Sequence, residues 1–366
     1  MKESKFWKDQ PVAIGEEENG TILKPKTLDT EPVELLEGYC WKETSNIEEI
    51  HKFLNENYGE RDDWILSYTK ESLTKVLLNK NHRPEYSIGI FSSDKMVGYI
   101  YGREHSITYN EATEIVLGVN FLCLAKNLRG QYISPLLIQE LKRRSFNNNL
   151  IKAIFVGGGN KGFRFTEATY YHLPLNIPKL KKNIFLPSNI NETTYFMRGD
   201  TITEVTVEDL LQVHEIYKEN SKKFEVYENF TKEQFLFTVM PCENSNYIVY
   251  NPNTKEFASF FVIDKVNSKS GTIIRAAYLY YWAGSEQILT DTFAYAQKLG
   301  LDIFDILNLG ENETHIIEKF NLLEGTATNQ TSRLLVRKYK GGLLFFIHYF
   351  PKKIHFPFIV AIIQVL

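Results

Sequence analysis

The sequence predicts an α+β fold made of two halves that repeat one order of elements. Three observations predict it. β-like hairpins recur at Tyr86–Ile107 and Tyr247–Val266, each turning on a polar tight turn, Ser-Ser-Asp-Lys in the first and Asn-Pro-Asn in the second. Each hairpin is followed by an apolar strand and then a segment with helical apolar spacing. A further short strand and then a helix complete the order, hairpin, strand, helix, strand, helix, which occurs twice.

In chain order, Met1 to Gly38 is rich in Pro, Gly and Glu, shows no periodicity, and reads as an extended arm. Ile47, Ile50, Phe53 and Leu54 recur at helical spacing, so Asn46 to Tyr58 reads as a helix. Tyr86–Phe91 and Met96–Ile107 form the first hairpin, Ile115–Leu124 a third strand, Ser134–Phe146 a helix, and Ile151–Val156 a short strand. The second half follows with Tyr247–Tyr250, Glu256–Val266 and Thr272–Tyr281 as strands. A helix at Gln287–Leu299 is closed by Gly300, Asp302–Leu309 is a strand, and Glu313–Phe320 a helix. The order suggests a tandem duplication with a boundary near Met197 to Thr203.

Composition narrows the function class. Net charge is −3, so no global field favours nucleic acid or an acidic membrane. Aromatic residues reach 14%, with 25 Phe and 21 Tyr, which fits a large apolar cavity or merely codon bias. Three scattered cysteines, Cys40, Cys123 and Cys242, form neither a disulfide framework nor a metal knuckle, and point to a reduced, cytoplasmic setting. Met1 to Gln10 lacks the apolar stretch of a signal peptide. The apolar tail is split by Pro351-Lys352-Lys353, leaving neither part near the roughly 20 residues a bilayer span needs. Nothing suggests an obligate interface, and a monomer without metal or cofactor is expected.

One unit carries chemistry. The apolar strand Val119–Leu124 runs into a loop holding Arg129, Gly130 and Gln131. A helix follows with Ser134 as N-cap and Pro135 at its first position. A helix start leaves N–H groups unpaired and carries partial positive charge, a glycine loop lets backbone approach a pyrophosphate, and Arg129 adds a phosphate donor. An ordinary strand–turn–helix would look similar. The matching place in the second half, Ala283-Gly284-Ser285-Glu286, has no basic residue, so only the first half is equipped for phosphate.

At these residues the chain resembles the glycylpeptide N-myristoyltransferase family. Val-Asn-Phe-Leu-Cys-Leu at 119–124, then Lys-Asn-Leu-Arg and Ser-Pro-Leu-Leu-Ile, resemble its central signature. In order around it lie Lys5-Phe6-Trp7, Glu37-Gly38-Tyr39-Cys40-Trp41, Asn55-Glu56-Asn57-Tyr58 with Asp62-Asp63, Tyr170-Tyr171-His172, Arg275-Ala276-Ala277-Tyr278 and Asn308-Leu309-Gly310-Glu311-Asn312. The resemblance covers roughly residues 5 to 325.

The resemblance implies two GNAT-like (acyl-CoA N-acyltransferase) halves related by pseudo-twofold symmetry. It divides the chain into an arm over the acyl-CoA (1–38), a myristoyl-CoA-binding half (39–197), a peptide-binding half (198–325) and a divergent tail (326–366). It implies transfer of myristate from myristoyl-CoA to an N-terminal glycine amine by direct attack on the thioester. Backbone N–H groups of Phe121 and Leu122 would stabilise the oxyanion, which requires an irregular ladder there. Lys5, Phe6, Trp7, Leu122, Leu124, Arg129, Gly130, Gln131, Tyr132, Ile133 and Ser134 would hold the co-substrate. Tyr58, Asp62, Asp63, Tyr68, Asn120, His172, Ser259 and Tyr281 would line the peptide side. The family's base is its C-terminal carboxylate, here Leu366.

Departures are visible. From about Gly325 the tail does not follow the family pattern, Gln131 and Tyr132 replace basic residues, Val156 replaces a Thr, and Thr169 replaces an Arg. Two other readings follow: a catalytically weak or inactive acyl-CoA and peptide binder, and an acyltransferase with a shorter donor. Cys123, mid-strand among apolar residues, reads as core rather than nucleophile.

Overall fold

The computed structural model describes residues 30–59, 63–109, 111–156, 169–183, 186, 189–312, 314–324, 334–335 and 354–355. The first half contains β1 (Cys40–Glu43), α1 (Ile47–Asn57), β2 (Trp64–Ser67), α2 (Lys70–Leu77), β3 (Ser87–Ser92), β4 (Lys95–Tyr109), β5 (Ala112–Leu124), α3 (Ile133–Asn147), β6 (Ala153–Val156), β7 (Tyr170–Pro174) and α4 (Ile177–Lys182). The second contains α5 (Val207–Ser221), β8 (Val226–Asn229), α6 (Lys232–Val239), β9 (Asn246–Asn251), β10 (Glu256–Asn267), β11 (Ile273–Ala283), α7 (Glu286–Lys298), β12 (Ile303–Leu307), α8 (Thr314–Lys319) and β13 (Leu323–Glu324). Two dipeptides of the tail, β14 (Leu334–Leu335) and β15 (Ile354–His355), add to β6 and β8.

Local chemistry explains the ends of these elements. Asn46 opens α1 by accepting hydrogen bonds from the N–H groups of Glu48 and Glu49, and Ile50, Phe53 and Leu54 form its buried stripe. Capping boxes open α5 (Thr206 with Asp209) and α6 (Thr231 with Gln234). Gly300, at φ +71°, closes α7 where expected, and Leu301 N–H reaches back to the Ala296 carbonyl at 3.1 Å. Every residue of β9 and β12 is buried, as for strands covered on both faces.

The strands form two sheets. One runs β1-β3-β4-β5-β6-β14, with β8 also on β4; the other runs β13-β7-β12-β11-β10-β2, with β9 also on β10. The two hairpins lie in different sheets, and the expected order of hairpin, strand, helix, strand is present in each half; an α–β–α unit that was not expected precedes it in both. The fold is α+β on one repeated plan.

The halves also exchange strands. β2, between α1 and α2, pairs with β10 of the second half (Ser67 opposite Asp264). β8, between α5 and α6, pairs with β4 of the first (Asn229 opposite Ser106). β7 pairs antiparallel with β12. The sheets therefore do not coincide with residues 39–197 and 198–325, and each half completes the other.

Among the described residues, the largest apolar cluster draws on both halves, including Tyr58, Tyr68, Phe121, Phe235, Phe257 and Tyr281. A second lies under α7, and a third holds α3 against β4 and β5. At Gly98 on β4 an added Cβ would meet the Leu124 side chain at 2.9 Å and that of Leu137 at 3.4 Å, so the glycine sets how closely α3 approaches. Leu137 is fully buried there, and its truncation to Ala costs about 2–5 kcal/mol. No helix among the described residues is long and apolar enough to cross a membrane.

Candidate active site

The β4–β5 ladder breaks at one place. Tyr99 pairs with Cys123 and Tyr101 with Asn120, so Ile100 alone faces Phe121 and Leu122. That is a β-bulge, and Phe121 adopts φ +53° within it. A bulky residue in the left-handed region costs on the order of 1–3 kcal/mol and persists only where its surroundings hold it. On the other flank, pairing with β6 ends at Gly118 opposite Ile154. The irregularity expected at Phe121 and Leu122 is thus present, beside a stretch of β5 that β6 does not cover.

Aromatic rings hold the bulge. Phe121 is fully buried and stands edge-on to Tyr58 and to Tyr68, each with centroids 5.5 Å away. Tyr58 ends α1, and Tyr68 follows β2. Asn55 clamps Tyr68, accepting from its N–H at 2.9 Å and donating to its carbonyl at 3.1 Å. The Tyr68 hydroxyl is buried without a partner among the described residues, and burial pushes its pKa up. Both amide atoms of Asn120, next to the bulge, are likewise buried and unpartnered among the described residues. Unpaired buried polar atoms are costly and rare, which marks this spot.

The loop after β5 is open. A 3-10 turn at Lys126–Leu128 leads to Arg129, Gly130 (φ +80°) and Tyr132 (φ +60°), and α3 begins at Ile133. Here the structure corrects one expectation. The N-cap is Tyr132, not Ser134, and no side chain caps the helix. The left-handed Gly130 and Tyr132 turn the chain into the helix earlier, placing Ser134 and Pro135 inside its first turn, where Pro is tolerated. Arg129, Gly130, Gln131 and Tyr132 are exposed, and nothing lies within 4 Å of a Cβ built on Gly130. Arg129 donates to the Asn57 carbonyl, and Lys126 N–H donates to Asn57 Oδ1 at 3.2 Å, so the loop is moored to the end of α1. Leu122 and Leu124 pack in the cluster under α3.

The second half supplies a buried polar wall. Glu228 on β8 pairs with Arg103 (3.1 Å) and His105 (2.6 Å) of β4 and accepts from the Tyr281 hydroxyl at 3.0 Å. Burial works to raise the Glu228 pKa, but His105 and Arg103 outweigh it and hold the carboxyl low. Asp305 on β12 pairs with His172 (2.6 Å) and Lys265 (3.2 Å); these pull its pKa to about 2 against burial. His172 Nε2 is buried without a partner among the described residues. Sequence reasoning missed Glu228, Arg103, His105, Asp305 and Lys265. The available signal was a lone acid within short apolar strands, Val-Tyr-Glu-Asn and Ile-Phe-Asp-Ile-Leu.

The remaining expected residues fall as follows. Asp63, at φ +71°, pairs with Lys269 at 2.8 Å in an exposed bridge. Ser259 is buried and its hydroxyl is spent on the backbone of Tyr281, accepting from N–H at 3.1 Å and donating to the carbonyl at 2.9 Å. Lys5, Phe6, Trp7, Asp62 and Leu366 lie outside the described residues, as does the side chain of Val156. Burial pushes the Cys123 thiol up to about 12, so it is no nucleophile at neutral pH. No group of His, Cys and acidic residues able to hold a metal occurs among the described residues.

The chain matches two family descriptions: the N-terminal domain of myristoyl-CoA:protein N-myristoyltransferase over residues 21–166, and its C-terminal domain over residues 169–328. It is 27% identical to a glycylpeptide N-tetradecanoyltransferase of Emericella nidulans, covering 93% of this chain and 76% of the relative. It is 28% identical to that of Saccharomyces cerevisiae, covering 85% and 81%. A crystal structure of the Saccharomyces cerevisiae N-myristoyltransferase with bound myristoyl-CoA shares the fold, with a TM-score of 0.80 at 23% identity over 93% of each chain.

Proposed function

As a member of the myristoyl-CoA:protein N-myristoyltransferase family, to which both matched domains assign it, this chain is an acyltransferase, and we propose that it moves myristate from myristoyl-CoA to the N-terminal glycine amine of proteins. The observation that carries this reading is the bulge at Phe121–Leu122 two strand residues ahead of an open loop and an uncapped helix.

In this reading the α3 start, Gly130 and Arg129 receive the phosphates, because unpaired N–H groups and a guanidinium both favour an anion. Leu122 and Leu124 border the acyl chain, and Lys5, Phe6 and Trp7 are assigned to the co-substrate by resemblance alone. The thioester carbonyl lies at the bulge, where the Phe121 and Leu122 N–H groups meet its developing negative charge; each such donor is typically worth about 3–4 kcal/mol. The neutral glycine amine attacks the carbonyl carbon, a C–N bond forms, the C–S bond breaks, and CoA leaves as the thiol. About a tenth of an α-amine is neutral at pH 7, so releasing its proton costs only about 1 kcal/mol. Asn120, Tyr58 and Tyr68 stand where the amine and first residues of the peptide would enter. Asp63 and His172 line the peptide's further course in this reading, with Ser259 and Tyr281 as the wall behind it, and Asp62 is assigned to the peptide by resemblance alone.

A single-turnover assay with a glycine-initiated peptide tests this. Transfer of C14 from its CoA ester to the free glycine amine, with none to the acetylated peptide and none from acetyl-CoA, is expected. Binding of both substrates without transfer would make the chain a binder instead.

A further inference from the structure

The bulge occurs twice. Ile100 alone faces Phe121 and Leu122, and Ser259 alone faces Tyr280 and Tyr281. Each bulge is followed by two strand residues and then by the approach to a helix, α3 in one half and α7 in the other. The two copies are furnished oppositely. In the first, the residue facing the bulge is an isoleucine with no polar side-chain atom, and the long loop Ala125–Tyr132 leads to α3; the N-cap side chain makes no capping hydrogen bond in either helix, so the copies differ in loop length and in what meets the backbone. In the second, the serine hydroxyl occupies both the N–H and the carbonyl of Tyr281. Only Gly284 and Ser285 precede α7, and the Ser285 N–H donates to Glu256 Oε1 at 2.8 Å. Gly284, at φ +141°, leaves room for that carboxylate arm: a Cβ there would lie 2.6 Å from Glu256 Cβ and Cγ. Glu256 stands three residues before Ser259, where the first half has Val97 three before Ile100.

We propose that Ser259 and Glu256 are specificity-determining residues that act as built-in occupants of a second, closed copy of the donor site. The Ser259 hydroxyl sits where the first half leaves its bulge for a thioester oxygen. The Glu256 carboxylate sits where the first half leaves its helix start for a phosphate. Together they shut the second half to acyl donors, and Ser259 in doing so sets the backbone of Tyr281, whose hydroxyl reaches Glu228. The proposal rests on reading the first half as the donor site.

Hydrogen exchange on the whole chain at constant ionic strength, with inorganic pyrophosphate as the probe, tests it. In the unmodified protein the peptide spanning Gly284 to Leu289 exchanges slowly and pyrophosphate does not change it. In Glu256→Ala the Ser285 amide exchanges about tenfold faster, and pyrophosphate restores the protection. Glu256→Gln, whose amide oxygen still accepts from Ser285, stays protected and indifferent to pyrophosphate. Ser259→Ala speeds exchange at Tyr281, and Ser259→Thr recovers it. Should Glu256→Ala not fold, Glu256→Ser provides the same readout. A Glu256→Ala protein whose faster exchange ignores pyrophosphate, or an unmodified protein equally protected by it, overturns the proposal. The readout lies in the second half and needs no turnover, so it fails separately from the assay of transfer.

Discussion

Phe121 meets Tyr68 edge-on, with ring centroids 5.5 Å apart and planes 80° to one another. The contact joins the two sides of the site: Phe121 is the strained residue of the bulge, and Tyr68 follows the strand β2 that the first half lends to the second sheet. Its hydroxyl has no partner among the described residues. Tyr68→Phe therefore keeps the ring contact and removes only an unpaired buried hydroxyl. Denaturant unfolding should show stability unchanged or raised by up to about 1 kcal/mol. The KM for the peptide should rise roughly tenfold if that hydroxyl serves the peptide, a loss of about 1.4 kcal/mol.

Arg129 is the main charge of the open loop. Its guanidinium is exposed and rests on the Asn57 carbonyl, so the phosphate contact proposed for it would be screened by solvent. Arg129→Ala should raise the KM for myristoyl-CoA by roughly fivefold at low salt, an effect of about 1 kcal/mol, and by less at high salt. kcat should change little. Initial rates at two ionic strengths check this.

The hairpins, β5, α3 and α7 were legible in the sequence, because each carries its apolar period within a dozen residues. β2, β7 and β8 were not. They are four or five residues long and gain their meaning from partners far along the chain, such as Ser67 from Asp264. The same distance hid the Glu228 and Asp305 networks, whose partners come from other strands. Ser134 looked like the cap because Ser before Pro is a common helix opening. The left-handed Gly130 and Tyr132 moved that boundary, a backbone choice that residue type alone does not reveal.

Asp305 links pH to stability. Its folded pKa, about 2, lies below the usual carboxylate value near 4, so it contributes stability above pH ~4 that is lost as pH falls towards 2. Asp305→Asn leaves Lys265 and His172 without their carboxylate and should cost about 3–5 kcal/mol at pH 7. The gap between the two proteins should narrow between pH 4 and pH 2, as urea midpoints taken across that range would record.

Direct attack on the thioester needs no acyl-enzyme. Cys123, the one cysteine beside the bulge, is buried with its thiol pKa raised to about 12. Cys123→Ala should keep transfer within a few-fold of the unmodified protein, with a stability loss of about 1–2 kcal/mol. Mass spectrometry after mixing with myristoyl-CoA alone should show no mass gain on the protein; a covalent myristoyl adduct at Cys123 would count against direct attack.

The proposed transfer depends on the backbone donors of the bulge. Replacing Leu122 by its α-hydroxy acid converts the preceding amide to an ester, deleting one N–H while keeping the side chain that packs under α3. Single-turnover transfer of C14 should slow by about a hundredfold or more, while the affinity for myristoyl-CoA stays within about twofold. A rate within twofold of the unmodified protein would contradict the account.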